Sequence, residues 1–137
     1  KILNLSSVEY YAETKAFFEQ NNIAYQQLPF GDNKEPFQDI PAEPVKEGLR
    51  QVMLADKNRP ILVHCAKGTH RTGCLVGCLR KSEKWLLTAI FDEYRRFAGT
   101  KVRLLDQQFI ELFDPRADLR LMKKDGPEDS SFAEKLS

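Results

Sequence analysis

The chain has 137 residues, of which 42% are hydrophobic and 30% are charged, a balance typical of a single soluble globular domain. Its formal net charge of +1 excludes a chain-wide basic surface for nucleic acid or acidic membranes, so any attraction for a phosphorylated ligand must be local. No apolar run approaches the roughly 18 residues of a membrane span, no signal peptide opens the chain and only three cysteines are present, so we expect a cytoplasmic protein without a disulfide scaffold.

The N-terminal part of the chain predicts alternating strands and helices. Residues 1–5 and 23–28 are each predicted to form a strand. The helix between them should start at a capping box in residues 6–9, read as SSVE, and run to about Gln20. Its predicted core contacts are Val8, Ala12, Phe17 and Phe18. Because a strand, a helix and a parallel strand form the repeating unit of layered sheets, we predict an α/β fold with a central, mostly parallel sheet flanked by helices.

A long connection and a second helix lead to the centre of the chain. Residues 30–44 are rich in Pro, Gly, Asp and Asn, and connections of that length in compact domains tend to be functional. A helix is predicted over residues 41–57, with Val45 and Leu49 on its inner side. The apolar run at residues 61–63 is typical of a short buried strand.

The stretch at residues 60–73, PILVHCAKGTHRTG, places reactive side chains between that strand and the next helix. Cys65 follows the strand, and Arg71 precedes a helix predicted from Thr72 to about Lys81. The first N–H groups of a helix lack internal partners and carry partial positive charge, so a loop closing over them can hold an oxyanion. Arg71 adds a planar fork for two phosphate oxygens. In this field the pKa of Cys65 should fall from about 8.5 to roughly 3.5–7.5, which would make it a nucleophilic thiolate.

Two other interpretations of these cysteines are weaker. A cysteine at a strand end is often only a small buried residue, but the loop glycine, Arg71 and the helix start argue against that for Cys65. A zinc site would need Cys74 and Cys78 to turn back toward His64, Cys65 and His70. The spacing of these residues also differs from the CxxC pairs that are usual in zinc sites. We interpret Cys74 and Cys78 as buried small residues, the alternative being a redox partner for Cys65.

Two further helices are predicted, over residues 86–97 and 102–113. The predicted inward side chains of the first are Ile90, Phe91, Tyr94 and Phe97. Asp114 and Pro115 should end the second helix. We therefore predict a catalytic domain at residues 1–114 and a polar tail at residues 115–137.

The motif HC-x5-R-T at residues 64–72 resembles the signature of cysteine-based tyrosine and dual-specificity phosphatases. The stretches at 70–81, 90–98 and 105–114, with NKEPF at 33–37 and IPAE at 40–43, narrow the resemblance to the plant and fungal atypical dual-specificity phosphatases. That group is known for inositol pyrophosphate phosphatases that also act on phosphotyrosine peptides. The resemblance implies the cysteine-based phosphatase fold, a small phosphorylated substrate or a phosphoprotein as partner, and no metal or cofactor.

The resemblance also implies roles for individual residues. Cys65 would be the nucleophile, Arg71 would hold the phosphoryl oxygens, and the Thr72 hydroxyl would support the sulfur. A general acid would come from the connection ahead of the motif, with Asp32 first and Glu35 or Asp39 as alternatives. His64 would orient the loop by hydrogen bonds. The residues expected to contact substrate are Ala66, Lys67, Gly68, Thr69, His70, Lys34 and Arg103, with Arg96 and Lys101 as further candidates at the rim, and His70 has a second possible role in holding the loop.

The substrate class stays open between three alternatives. Inositol pyrophosphates, cleaved at the β-phosphate, are favoured by the resemblance and by the local basic residues. A phosphoprotein is favoured by Ala66 and Thr69, which stand where the resembling group usually carries more basic residues. A phosphate-binding module without turnover is disfavoured by the presence of both Cys65 and Arg71.

Overall fold

A computed structural model describes residues 1–31 and 42–116 of the chain. Its described strands form one parallel sheet, with β2 and β3 on either side of β1. Their bounds are β1 (Ile2–Asn4), β2 (Tyr25–Gln27) and β3 (Leu62–His64). The central strand aligns Leu3 with Gln26 on one side and with Val63 on the other. The predicted parallel α/β sheet is confirmed, and its order brings the end of β3 next to the end of β1.

Helices cover the sheet and pack on one another. Their bounds are α1 (Ala12–Gln20), α2 (Ala42–Met53), α3 (His70–Ser82), α4 (Leu87–Ala98) and α5 (Leu104–Leu112), with a short 3-10 turn at Gly99–Lys101. Helix α3 packs against α2, α4 and α5 and therefore lies at the centre of the helical layer. Within the described ranges, none of the helices combines the length and hydrophobicity needed to cross a membrane.

The hydrophobic core lies between the sheet and helices α2 and α3. Its buried members are Leu3, Leu5, Phe30, Val45, Leu49, Cys74, Leu75, Cys78 and Phe113. Fully burying one such leucine is worth about 1.5–3 kcal/mol, so this cluster fixes α3 against the sheet. Val45 and Leu49 are buried as predicted, and the interpretation of Cys74 and Cys78 as buried small residues is confirmed.

The capping box predicted at residues 6–9 is wrong. Ser6 donates from both its backbone N and its hydroxyl to Asn4 Oδ1, each at 2.9 Å, and its hydroxyl accepts from the backbone N of Val8 at 3.3 Å. These bonds build a turn after β1, because short polar side chains compete for nearby backbone groups. Helix α1 therefore starts later, at Ala12, with no side-chain cap.

Several predicted core contacts are exposed instead. Helix α1 buries only Phe18, so its neighbour Phe17, about 100° further round the helix, faces solvent, as do Val8 and Ala12. On α4 the buried residues Ile90, Tyr94 and Ala98 recur every four positions. This stripe leaves Phe97 at its side and 76% exposed, so the inward placement of Phe97 was wrong.

The helix predicted over residues 41–57 ends earlier than expected. Helix α2 stops at Met53. Beyond it, Asp56 Oδ1 accepts the backbone N–H groups of Asn58 at 2.8 Å and Arg59 at 2.9 Å, and this folds the following residues into a turn. The turn returns the chain to the sheet just before β3.

Helix α3 can approach α5 closely because Gly77 has no side chain. A methyl group there would overlap the side chain of Ile110, which is itself fully buried. We expect Gly77→Ala to lower the free energy of unfolding by about 1–3 kcal/mol, as overpacking does.

Gly48→Ala is the matched control for that substitution, measured by chemical denaturation alongside it. Its added methyl would meet only the ends of two leucine side chains, Leu75 at 3.2 Å and Leu28 at 3.6 Å, while a helix gains about 1 kcal/mol from replacing glycine. Equal effects of the two substitutions would show that the contact between α3 and α5 is not close-packed.

Candidate active site

Cys65 lies directly after β3, at the mouth of a loop that leads into α3. Helix α3 begins at His70, two residues earlier than predicted, so Arg71 belongs to its first turn and not to the loop before it. The helix therefore aims its unpaired N–H groups and its positive dipole end at the loop. The fold places Cys65, the loop and Arg71 together as the sequence predicted.

The Cys65 sulfur is surrounded by hydrogen-bond donors. Burial alone raises the pKa of this half-buried thiol, but donation from the Thr72 hydroxyl and from the backbone N–H groups of Thr72, Lys67 and Gly68 outweighs it and leaves the pKa lowered. The Thr72 hydroxyl lies 3.1 Å from Sγ. Because donors stabilise a thiolate more than a thiol, this arrangement favours the nucleophilic form.

Gly68 gives the loop the curvature that turns its N–H groups inward. Its φ is +69°, in the left-handed region where a side chain is strained. A Cβ at this position would meet nothing within 4 Å, so the requirement for glycine is one of backbone conformation and not of space. The loop thus forms a nest of N–H groups around the sulfur.

A cavity of about 450 Å³ opens over the sulfur. Its lining residues are Cys65, Ala66, Lys67, His70, Arg71, Lys101, Val102 and Arg103. Among these described residues four are cationic and none is a carboxylate. The chain is close to neutral as a whole, so this cavity concentrates positive charge that the net charge does not reveal.

A second cavity, of about 460 Å³, lies beside the signature loop between α3 and α4. Gly68, Thr69 and Thr72 line this second cavity and not the first. The Thr69 hydroxyl donates to the Lys67 carbonyl oxygen at 3.3 Å, within the loop. Arg96, a candidate for the rim of the active site, lines the second cavity and is not among the residues that line the first.

His64 holds the carbonyl side of Cys65. A carbonyl oxygen only accepts, so His64 Nδ1 donates to Cys65 O, at 3.1 Å. The other ring nitrogen, Nε2, is in direct hydrogen-bond contact with the Tyr10 hydroxyl. Burial raises the pKa of Tyr10 and keeps its hydroxyl protonated. Sequence reasoning missed Tyr10, because nothing marks a tyrosine 54 positions away as a partner of the motif.

Asp106 is a second residue that sequence reasoning missed. It is 0% exposed in the first turn of α5, and its Oδ2 accepts from His70 Nδ1 at 2.8 Å and from the Tyr94 hydroxyl at 2.6 Å. The Tyr94 oxygen in turn accepts the backbone N–H of Arg103 at 3.1 Å. Asp106 lies within residues 105–114, one of the stretches on which the family resemblance rests, but nothing in that stretch marks its carboxylate as a partner of His70.

The same carboxylate affects Cys74. Burial, followed by the nearby Asp106, raises the pKa of the Cys74 thiol well above its usual value. A neutral, buried thiol is a poor partner for thiol exchange, so the redox alternative is disfavoured for Cys74. Cys78 is fully buried as well, out of reach of a second thiol from solvent.

Some predicted site residues lie outside the described part of the chain. These are the acid candidates Asp32, Glu35 and Asp39, together with Lys34. For residues 1–31 and 42–116, no group of three or more His, Cys, Asp or Glu side chains is placed to hold a metal ion.

Removing the Thr72 hydroxyl should make Cys65 less acidic. Thr72→Val keeps the shape but loses the donor to Sγ, so we expect the pKa of Cys65 to rise and alkylation by iodoacetamide at neutral pH to slow. The measurement is the alkylation rate against pH. Thr69→Val, which loses a hydroxyl bonded only within the loop, should leave that profile unchanged. An unshifted profile for Thr72→Val would show that the hydroxyl does not support the anion.

Comparison with known proteins agrees with this geometry. A family model described as the tyrosine phosphatase family matches residues 1–130. The chain belongs to the tyrosine phosphatase family. Within that family it is 48% identical over 123 residues to inositol diphosphatase SIW14 of Saccharomyces cerevisiae, covering 90% of this chain and 43% of that protein. It is 47% identical over 120 residues to inositol diphosphatase DSP2 of Oryza sativa subsp. japonica, covering 88% of this chain and 58% of that protein.

The solved structures give the same result. The core catalytic domain of the PP-IP phosphatase SIW14 from S. cerevisiae, crystallised with citrate, superposes with a TM-score of 0.77 at 44% identity, covering 90% of this chain and 73% of that one. The predicted resemblance to the plant and fungal group and the predicted phosphatase fold are thereby confirmed. The chain spans about half the length of the curated relatives it matches.

Proposed function

We propose that this chain is a cysteine-dependent phosphatase that acts on inositol pyrophosphates through a cysteinyl-phosphate intermediate. The observation that carries the proposal is the Cys65 sulfur, surrounded by N–H and O–H donors at the base of a cavity with four cationic side chains. The residues that form this site lie within positions 1–114, the range predicted as the catalytic domain.

In the first step the Cys65 thiolate attacks phosphorus and forms an S–P bond, while the bond from phosphorus to the leaving oxygen breaks. Arg71 and the loop N–H groups bind the three equatorial oxygens, whose charge must be held in fixed geometry as the transfer proceeds. The leaving oxygen takes the electron pair of the broken bond.

The need for an acid depends on the leaving group. A tyrosine phenolate is basic and requires a proton, which Asp32 would supply by the sequence prediction. A phosphate released from a pyrophosphate is already a stable anion and leaves without one. An inositol pyrophosphate is therefore compatible with a weakly defined general acid.

In the second step water attacks the phosphorus of the cysteinyl-phosphate, and the S–P bond breaks. The water proton passes to solvent or to the departing phosphate, and the electron pair returns to sulfur. The Thr72 hydroxyl, 3.1 Å from Sγ, stabilises the thiolate that re-forms and makes sulfur a better leaving group.

The charge of the cavity supports the substrate class. A single phosphate monoester needs Arg71 and the loop, whereas Lys67, Lys101 and Arg103 add positive charge at the rim for further phosphates. Two relatives at nearly half identity are named inositol diphosphatases, which supports the same class.

A phosphoprotein substrate is the second candidate. The observation that favours it is Ala66, an uncharged residue on the cavity wall beside Lys67. An uncharged wall can pack against the aromatic ring of a phosphotyrosine, whereas a ligand with several phosphates would be bound better by a cationic residue at this position.

The deciding experiment compares kcat/KM for a diphosphoinositol polyphosphate with that for a phosphotyrosine peptide. We expect the inositol substrate to be preferred, and Lys101→Ala to raise its KM about three- to tenfold while the peptide is little affected, since each charged hydrogen bond is worth about 1.5–3 kcal/mol before solvent screening. Lys57→Ala, an exposed lysine after α2, is the matched control. A clear preference for the peptide would overturn the substrate assignment.

A further inference from the structure

Two walls of the active-site cavity come from distant parts of the chain. One wall is the signature loop with the first turn of α3, which carries Lys67, His70 and Arg71. The other is the short connection between α4 and α5, which carries Lys101 and Arg103. A ligand with several phosphates is large enough to contact both walls at once, whereas a small monoester needs only the wall that holds Cys65 and Arg71.

The second wall has little regular structure of its own. It consists of a 3-10 turn, Gly99–Lys101, and two extended residues before α5 begins at Leu104. Gly99 has a φ of +58°, and Lys101 and Val102 are exposed. The position of Lys101 and Arg103 therefore depends on how this connection is attached to the rest of the fold.

The attachment runs through Tyr94 and Asp106. The Tyr94 oxygen accepts the backbone N–H of Arg103 at 3.1 Å and donates to the buried carboxylate of Asp106 at 2.6 Å. The same carboxylate oxygen accepts from His70 Nδ1 at 2.8 Å, in the first turn of α3. One buried oxygen thus links the loop wall to the connection wall.

The chemistry of the three groups suits a fixed link. Burial, and then the hydrogen bond to Asp106, raises the pKa of Tyr94, so its hydroxyl stays a donor. The carboxylate lies in the first turn of α5, where the helix dipole favours negative charge. The bond between His70 Nδ1 and the Asp106 carboxylate, at 2.8 Å, fixes the orientation of the imidazole ring.

We propose that Asp106 and Tyr94 are positioning residues that set the spacing between the two cationic walls, and that this spacing selects ligands with several phosphates over small monoesters. Neither residue is among those lining the active-site cavity, so both act through Arg103 and His70. The inference rests on the proposed function, because it assumes that the cavity receives a polyphosphate.

The test uses Tyr94→Phe, which keeps the ring packed against Gly73 and removes only the hydroxyl. Affinity for inositol hexakisphosphate is measured by calorimetry, and kcat and KM are measured with p-nitrophenyl phosphate. We expect the polyphosphate to bind about three- to tenfold more weakly, the loss of one or two hydrogen bonds, while kcat for the monoester falls by no more than about twofold. Asp106→Asn should weaken the polyphosphate in the same direction.

Tyr25→Phe, in β2 away from the cavity, is the matched control and should change neither quantity. A purely structural role for Tyr94 would lower the number of binding sites in calorimetry and the monoester kcat in proportion, through loss of folded protein, while the dissociation constant for the polyphosphate stayed unchanged. An unchanged dissociation constant would therefore overturn the inference. Weak or absent polyphosphate binding by the unsubstituted protein would overturn it as well. Failure of the proposed phosphatase function would appear separately, as absence of monoester turnover in the unsubstituted protein.

Discussion

Cys65→Ser is expected to abolish turnover, with kcat reduced at least about 10³-fold, while a phosphorylated ligand still binds. Serine keeps the size of the side chain, but its hydroxyl is not ionised at neutral pH. The donors around position 65 then surround a neutral hydroxyl, which is a poor nucleophile toward phosphorus. The anion-binding groups, Arg71 and the loop N–H groups, are unchanged. Activity and ligand affinity are measured on the same preparation, by phosphate release and by calorimetry.

Cys78→Ala is the matched control for the loss of a thiol. Cys78 is 0% exposed in the core and does not line the active-site cavity, so its removal should leave kcat within a few-fold after correction for folded protein. If Cys65→Ser retained the activity of the unsubstituted protein, the nucleophile would lie elsewhere and the proposed mechanism would fail.

Arg71→Lys is expected to reduce kcat by about 10²- to 10³-fold. Lysine keeps the positive charge, but a single ammonium group cannot pair two equatorial oxygens as the planar guanidinium does. Because these oxygens reach their planar, equatorial arrangement only in the transition state, the loss should appear mainly in kcat. Steady-state kinetics with a small aryl phosphate isolate the effect from contacts at the rim.

Arg96→Lys provides the comparison for that substitution. Arg96 is exposed and lies on the second cavity, between α3 and α4, so the same change of side chain there should alter kcat by less than about twofold. Equal losses at positions 71 and 96 would contradict the placement of Arg71 at the reacting phosphate.

The chemistry of the site was predictable because its central residues are close together in sequence. Cys65 and Arg71 are joined by one short loop between a strand and a helix, and that spacing alone fixes where the helix N–H groups point. The parallel sheet was predictable for a similar reason, since β1, α1 and β2 follow one another along the chain. In both segments the residues that determine the structure are neighbours in sequence, so the sequence pattern was sufficient to predict it.

The sequence patterns predicted helix starts and buried positions wrongly where a tertiary or local contact favoured a different arrangement. The SSVE stretch matches a capping box, but Asn4 takes the Ser6 hydroxyl and the helix starts six residues later than Ser6. Phe17 and Phe97 are apolar residues at helical spacing, yet Phe18 and Ala98 occupy the buried stripes beside them. Which of two neighbouring positions is buried depends on the packing partner, which the helix sequence does not contain.

The supporting residues of the site could not be found from sequence. Tyr10 reaches His64 across 54 positions, and Asp106 reaches His70 across 36. Asp106 lies in the 105–114 stretch that carries the family resemblance, but neither that stretch nor the segment around Tyr10 indicates which residue the side chain will contact. Their roles depend on tertiary contacts that bring β3, α3, α4 and α5 together.

Trapping the covalent intermediate tests the central claim most directly. The unsubstituted protein is mixed with a phosphorylated substrate, quenched in acid within the turnover time, digested and analysed by mass spectrometry. Formation of an S–P bond predicts one added phosphoryl group on the peptide that contains Cys65, and none on that peptide in Cys65→Ser. A phosphoryl group on another residue, or turnover with no phosphorylated peptide at any quench time, would contradict nucleophilic attack by this cysteine.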